Sequence, residues 1–361
     1  MIRSDPREAL AAKAGSGVAR LGPDLWLVTE PIATGRLLGS PDAVTARARQ
    51  PPGLTSWGPD GTAAWTAVRR AMRPVLTTAH TTPLLPAVAE QTRRTAARWP
   101  GVIDGMREAV RLVSDANLHH LLGAPSATLS TLVEAELAAA DGVLPGRLRR
   151  AQRATYDAIR AHNHGPLPAL LAAQGFDEHH VTLAVRSMLL SGHHVPAAAL
   201  AWAFHELARH PDAQDRVRAE ADGGSERPFC ASVIREALRL HPPVWQLRRQ
   251  LRASVHGLPA GATVVFSPYL NHRNPAAHAD PLDFRPERWL RHARPVPGSY
   301  FPFALGPRIC PASRTAPVVL TTILGEVLRT HRLVRHRDPK PARGVLHAPR
   351  GLALRVVRTH R

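Results

Sequence analysis

The chain has 361 residues, 44% of them hydrophobic, and 47 Lys and Arg against 28 Asp and Glu give a net charge of +19. No stretch approaches the ~20 uninterrupted apolar residues that span a bilayer. The N-terminal MIRSDPREAL is charged rather than apolar as in a signal peptide, and two cysteines exclude a disulfide framework. The arginines are scattered along helical stretches instead of forming a stripe interleaved with aromatics, which argues against a nucleic-acid binder. No linker, repeat or break in composition divides residues 1–361, so one domain in a cytoplasmic, monomeric protein with no membrane association is expected.

Residues 5–14 are helical in pattern. Val18 to Arg20 and Leu25 to Thr29 read as short strands about a Gly-Pro turn, followed by a short helix from Ile32 to Leu38. Beyond the proline pair Pro51-Pro52, Trp65 to Arg73 is helical, and residues 84–99, 102–122, 127–141 and 145–162 read as amphipathic helices. Asp177 to Arg209 reads as one long central helix and residues 226–241 as another; Val255 to Phe266, with Pro259-Ala-Gly261, reads as a hairpin. Ala316 to Val327 is an apolar helical run, and LALRVVR near the C-terminus is a closing strand. The class is mainly α with a minor β region. The 34 prolines, clustered at Pro51-Pro52, Pro242-Pro243 and Pro295 to Pro297, suit loops between many helices.

Four motifs carry chemistry. Phe303-Ala-Leu-Gly306-Pro-Arg308-Ile-Cys310-Pro311 joins a turn glycine to a cysteine ahead of the helical run, where the positive end of a helix dipole favours an anionic sulfur. Arg308 is placed for a charge-assisted bond to an anionic group, and Phe303 for screening the sulfur from water. The alternative for a lone cysteine is a buried structural role, which is also the expectation for Cys230. Glu236-Ala-Leu-Arg239 puts an acid and a base at i and i+3 on one helix face, ahead of Leu240-His241-Pro242-Pro243. Phe284-Arg285-Pro286-Glu287-Arg288-Trp289 and Trp65-Thr-Ala-Val-Arg69 complete the set.

Together these segments resemble the haem signature FxxGxRxCxG, the ExxR element, the PERW segment and the WxxxR helix of the cytochrome P450 family, in the family's order. The resemblance implies the P450 fold, haem b (iron protoporphyrin IX) as cofactor, and Cys310 as thiolate ligand to the iron, where thiolate push favours O–O cleavage. Phe303, Gly306, Arg308, Trp65 and Arg69 would surround the cofactor. Either Arg248 or Arg249 would bind a propionate, and the spacing leaves both open. Glu236, Arg239 and Arg288 would form a buried ionic cluster. Electrons would come from ferredoxin and ferredoxin reductase, docking on a face made positive by Arg69, Arg70, Arg73, Arg308 and Arg314. Relative to typical members the chain is short at its N-terminus, so the segment over the substrate entrance is expected to be absent.

Two departures stand out. Where the family usually has A-G-x-(D/E)-T above the iron, this chain reads Ser191-Gly192-His193-His194-Val195-Pro196. By position His194 replaces the acid and Val195 the alcohol, so Val195 cannot hold a proton-delivering water, whereas His194 offers an imidazole that could shuttle protons in place of the acid. The competing readings are a pair of groove-lining histidines, or a substrate that supplies its own proton path. A zinc site is not expected, because the pairs His119-His120 and His179-His180 lack a matching cysteine or carboxylate spacing. Pro196 frees the carbonyl of Gly192, which leaves room for a groove. Second, Pro311 after Cys310 has no N–H to give the sulfur, which predicts a more electron-rich thiolate; its other reading is a proline opening a helical turn. His193, Ala198, Ala199, Val244, Trp245 and Gln246, with Val195, make an expected substrate wall that is chiefly apolar. The expected activity is therefore oxidation of a small hydrophobic precursor in bacterial secondary metabolism, by hydroxylation or another oxidative transformation. The alternatives are oxidative coupling or rearrangement, peroxide use, or a catalytically impaired haem-binding partner protein.

Overall fold

The computed structural model describes residues 5–14, 17–45, 61–140, 144–162, 164–224, 227–290, 295–342, 344 and 346–359. The Pro51-Pro52 stretch, and the ends of the expected helices at 141 and 226, lie outside these residues.

Helices dominate, and many open on proline. The helices Pro31–Gly39, Pro145–Ala161, Pro166–Ala173, Pro211–Gly223 and Pro228–Leu240 all begin with one. At that position the missing N–H is no loss and the fixed φ already suits a helix. The clusters Pro242-Pro243 and Pro295 to Pro297 lie in loops, as expected, whereas these other prolines start helices. Acidic caps do the same work elsewhere. Asp104 accepts from the N–H groups of Met106 and Arg107 to start Gly105–Leu122, and Asp177 accepts from His180 N–H to start Glu178–Ser191.

Three apolar clusters form the core. One gathers the helices Gly105–Leu122, His194–Arg209, Pro228–Leu240 and Ala316–Thr330 around Phe204, Val233, Ile323 and Leu324, all essentially inaccessible. Burying such a side chain stabilises by roughly 1.5–3 kcal/mol. A second joins Val68 and Met72 of Gly61–Ala71 and its exit to Leu118, Leu129, Ile159 and Leu189. The third packs Leu37, Leu38 and Phe301 on a five-stranded sheet, whose order is Val18–Gly22, Leu25–Val28, Thr263–Phe266, Leu247–Leu251 and Ala43–Thr45. The closing strand Ala353–Arg358 lies between Val102–Asp104 and His331–Arg337 in a separate antiparallel sheet.

Several expectations are corrected. Residues 102–104 are a strand, not the start of the helix that follows. Thr263–Phe266 pairs antiparallel with Leu247–Leu251 and parallel with Leu25–Val28, while Val255 and Leu258 form only an isolated bridge, so the hairpin is wider than expected. The central helix is two helices, Glu178–Ser191 and His194–Arg209. Pro196 cannot donate to the Gly192 carbonyl and its ring crowds it, so the helix ends before that carbonyl and restarts with proline in its first turn. The break falls where the rod passes from the second apolar cluster to the first.

Candidate active site

The cysteine loop is closed by its own backbone: Cys310 N–H donates to the Phe303 carbonyl at 2.8 Å, while the Phe303 ring packs on the first apolar cluster. Gly306 has φ +67°, and a Cβ there would lie 2.3 Å from the Leu38 carbonyl oxygen. Only glycine lets the loop cross the end of Pro31–Gly39 that closely. Ala304 adopts φ +60° without glycine's freedom, so the loop carries local strain.

Pro311 opens a single 3-10 turn, Pro311–Ser313, with Cys310 as its cap. The sulfur nevertheless has a donor, because the next amide, Ala312 N–H, reaches it. Pro311 itself gives the sulfur no N–H, so the loss of backbone donors expected from the sequence is partial. The nearest helical donor belongs to this short turn rather than to the first turn of Ala316–Thr330. Burial pushes the Cys310 thiol up, against the opposing pull of Ala312 N–H and the Arg69 charge.

Around the loop stand three guanidinium groups. Arg69, one turn after the half-buried Trp65 on Gly61–Ala71, donates to the Ile309 carbonyl at 2.6 Å. Arg249 is buried on the strand Leu247–Leu251, whereas its neighbour Arg248 points to the exposed face, as strand alternation requires. Burial lowers the pKa of Arg249, as do the charges of Arg308 and Arg69; burial lowers that of Arg69 too, with Arg308 and Arg73 adding to it against the pull of Cys310. Among the described residues no carboxylate pairs with Arg69, Arg249 or Arg308. Three neighbouring cations without a counter-ion are an anion site.

The ExxR pair is wholly buried. Arg239 donates to both oxygens of Glu236 at 2.8 and 2.9 Å, and Arg288 Nε adds a bond of 3.0 Å. Two donors escaped the sequence reading: Trp289 Nε1–H at 2.8 Å and the Arg285 backbone N–H at 2.9 Å. The PERW segment contained both, but only its arginine carried an obvious charge. Burial works to raise the Glu236 pKa, and the Arg239 guanidinium, helped by Arg285 N–H and Arg288, holds it below the usual carboxylate range. Arg239 also donates to the carbonyls of His272, Pro281 and Asp283, tying Pro228–Leu240 to the chain that leads into the cysteine loop.

At the break in the central rod, His193 and His194 converge on one oxygen. Each Nε2 lies 2.8 Å from Glu134 Oε2, on the helix Ala127–Ala140. Those two imidazoles hold the Glu134 carboxyl far below its usual range, although burial opposes them. Glu134 went unnoticed in the sequence because nothing local links it to the histidines. Gly192 is required here, since a Cβ would come within 2.5 Å of Asn117 Nδ2 and 2.8 Å of the Met188 carbonyl. Val195 and Pro196 are half-exposed while Ala198 and Ala199 are packed away. Of the other expected wall residues, Gln246 is half-exposed and Val244 exposed. Trp245 is buried, with its indole N–H donating to the Gly344 carbonyl.

Fold and site together describe a mainly helical protein with a cysteine loop flanked by three arginines suited to an anion. A family model described as Cytochrome P450 matches residues 150–353, and the chain belongs to the cytochrome P450 family. It is similar to cyclooctatin synthase of Streptomyces melanosporofaciens, 38% identical over 168 residues that cover 40% of this chain and 36% of that protein. Rat cytochrome P450 4X1 is 33% identical over 200 residues, covering 49% of this chain and 39% of the relative. The chain thus spans well under half the length of the curated relatives it matches. A six-coordinated cytochrome P450 from Thermus thermophilus superposes with TM-score 0.82 at 27% identity, covering 98% of this chain and 99% of that one. The family's cofactor is haem b. The residues present fit it: the loop-held thiol of Cys310 would supply a thiolate to the iron, and Arg69, Arg249 and Arg308, which have no carboxylate partner among the described residues, would hold its propionates.

Proposed function

We propose that the protein is a haem-thiolate monooxygenase that oxidises a small hydrophobic natural-product precursor, a terpenoid, polyketide or small peptide, with O2 and electrons from a ferredoxin and its reductase. The haem, once bound, supplies oxygen activation at its iron. Cys310 supplies the thiolate, Phe303 keeps water from it, and Arg69, Arg249 and Arg308 hold the propionates, with Trp65 beside them. Glu236, Arg239 and Arg288 fix the chain on the thiolate side. The observation that carries this reading is the three-arginine pocket around Cys310, which has no carboxylate of its own among the described residues. The similarity to a protein named cyclooctatin synthase supports secondary metabolism as the setting.

Above the iron, Val195 can neither donate nor accept a proton. His194 takes over as the group that moves protons, with the half-exposed Glu134 carboxylate accepting at its Nε2 and orienting the ring. Changing Val195→Thr tests this relay: it should raise product formed per electron, and an unchanged yield contradicts it. The missing alcohol also favours a second reading, oxidative coupling or rearrangement by a different proton path. Product analysis separates the two, since only monooxygenation places an atom from labelled O2 in the product. A haem-binding partner protein would give neither product nor reductant-dependent peroxide.

Arg70, Arg73 and Arg314 are exposed, and Arg69 and Arg308 half-exposed, so a positive surface surrounds the cysteine loop and suits an acidic ferredoxin. Reduction by ferredoxin should then slow steeply with salt, and salt-independent reduction contradicts the docking surface. No described helix is long and apolar enough to cross a membrane.

A further inference from the structure

We propose that Glu134, His193 and His194 form a binding site for a divalent transition-metal ion of the zinc type, which clasps the helix Ala127–Ala140 to the break in the central rod. On a regular helix, consecutive side chains point about 100° apart and cannot share a ligand. His193 is not helical: its φ of −95° and ψ of −81° place it in the interruption. The two rings therefore turn toward each other, with centroids 5.1 Å apart and planes at 49°. Both Nε2 atoms approach Glu134 Oε2 at 2.8 Å, and all three candidate ligand atoms lie within 4.8 Å of one another. Tetrahedral zinc with bonds of about 2.0–2.1 Å holds its ligand atoms about 3.4 Å apart, so small rotations of Glu134 and His194 open the space for an ion.

The donor set suits such an ion. Two imidazoles and one carboxylate are borderline ligands that favour zinc, cobalt, nickel or copper over magnesium and calcium. His193 is only 2% exposed and lines a narrow cleft with Leu118, Leu129, Val133 and Leu189, so one ligand is fixed in advance. The side chains of Glu134 and His194 are 51% and 27% exposed, which leaves an entry path and a fourth position for water. The other histidine pairs do not converge in this way. His120 bonds the Val75 carbonyl, His179 the Tyr156 hydroxyl and His180 the Asp177 carboxylate. The expectation of no zinc site was drawn from local spacing, and the carboxylate comes instead from a helix 60 residues earlier in the chain.

An ion at His194 Nε2 would exclude a proton from the same atom, so metal binding and the relay compete, but binding is read without turnover and does not rest on the relay. The experiment is isothermal titration calorimetry of zinc chloride into chelator-stripped holoprotein. One ion should bind per chain. Glu134→Gln and His194→Asn, both at accessible positions, should each weaken binding at least tenfold, while His336→Asn, at an exposed histidine elsewhere, should leave it unchanged. Haem absorbance reports that the variants are folded. Equal affinity in wild type, Glu134→Gln and His194→Asn overturns the site, as does the absence of binding. Binding as expected with zinc-independent turnover would contradict the relay and leave the metal site standing.

Discussion

Glu236 and Glu134 are both carboxylates that collect several donors, yet they are opposite kinds of site. Glu236 is fully buried and accepts five bonds, from Arg239 twice, Arg288, Trp289 and the Arg285 backbone. Every partner is itself held by packing or by further carbonyls. Glu134 is half-exposed, and two histidines share one of its oxygens. A fully satisfied buried carboxylate fixes one arrangement of the chain. A carboxylate at the surface, held by two imidazoles on one oxygen, is free to exchange its partners for an ion.

Substitution tests that contrast directly. Arg239→Leu leaves Glu236 charged and buried, and should cost roughly 3–5 kcal/mol in denaturant unfolding or prevent folding outright. Glu134→Gln should cost no more than about 1 kcal/mol in the same measurement, as for an exposed ion pair. Similar losses from both would erase the distinction.

Arg249→Leu removes the buried arginine proposed to hold a propionate and should speed haem loss to a competing apoprotein about tenfold, as expected for a charged hydrogen bond of about 1.5 kcal/mol. Arg248→Leu, on the exposed face of the same strand, should change it less than twofold.

A smaller effect is expected from acid. His241 stacks on Trp202 and bonds Glu206 at 2.6 Å, and burial pushes its pKa down to about 4. The unfolded chain takes up a proton at this residue near pH ~6.5 and the folded one only near 4, so stability falls as pH drops through that window. The slope of stability between about pH 6.5 and 5 should be shallower in His241→Gln; an identical slope would contradict the assignment. Smallest of all, Ala304→Gly relieves the positive φ in the cysteine loop and should raise stability by up to about 1 kcal/mol in thermal unfolding.

What the sequence revealed follows the same division. The Glu236 cluster was legible because its members are close in the chain: an i, i+3 pair on one helix and a six-residue segment that supplies the rest. Cys310 and Gly306 were legible for the same reason. Arg248 and Arg249 could not be ranked until strand alternation turned one inward. Glu134 was invisible, because its partners lie on another helix and nothing in its own surroundings marks it. Pro196 marked the disturbance in the central rod, but whether a helix bends or breaks at a proline depends on what packs beside the freed carbonyl, here Asn117 against Gly192. The prolines that open helices did not stand out in the sequence, because a proline opening a helix and one in a loop look alike without neighbours.

The central claim is that Cys310 binds haem iron as a thiolate. The carbon monoxide difference spectrum of the reduced holoprotein tests it most directly. The account predicts the strongly red-shifted Soret band of a thiolate-ligated haem, lost in Cys310→Ser and kept in Cys230→Ser. A band at the position of an imidazole-ligated haem, or a red-shifted band that survives Cys310→Ser, would contradict it.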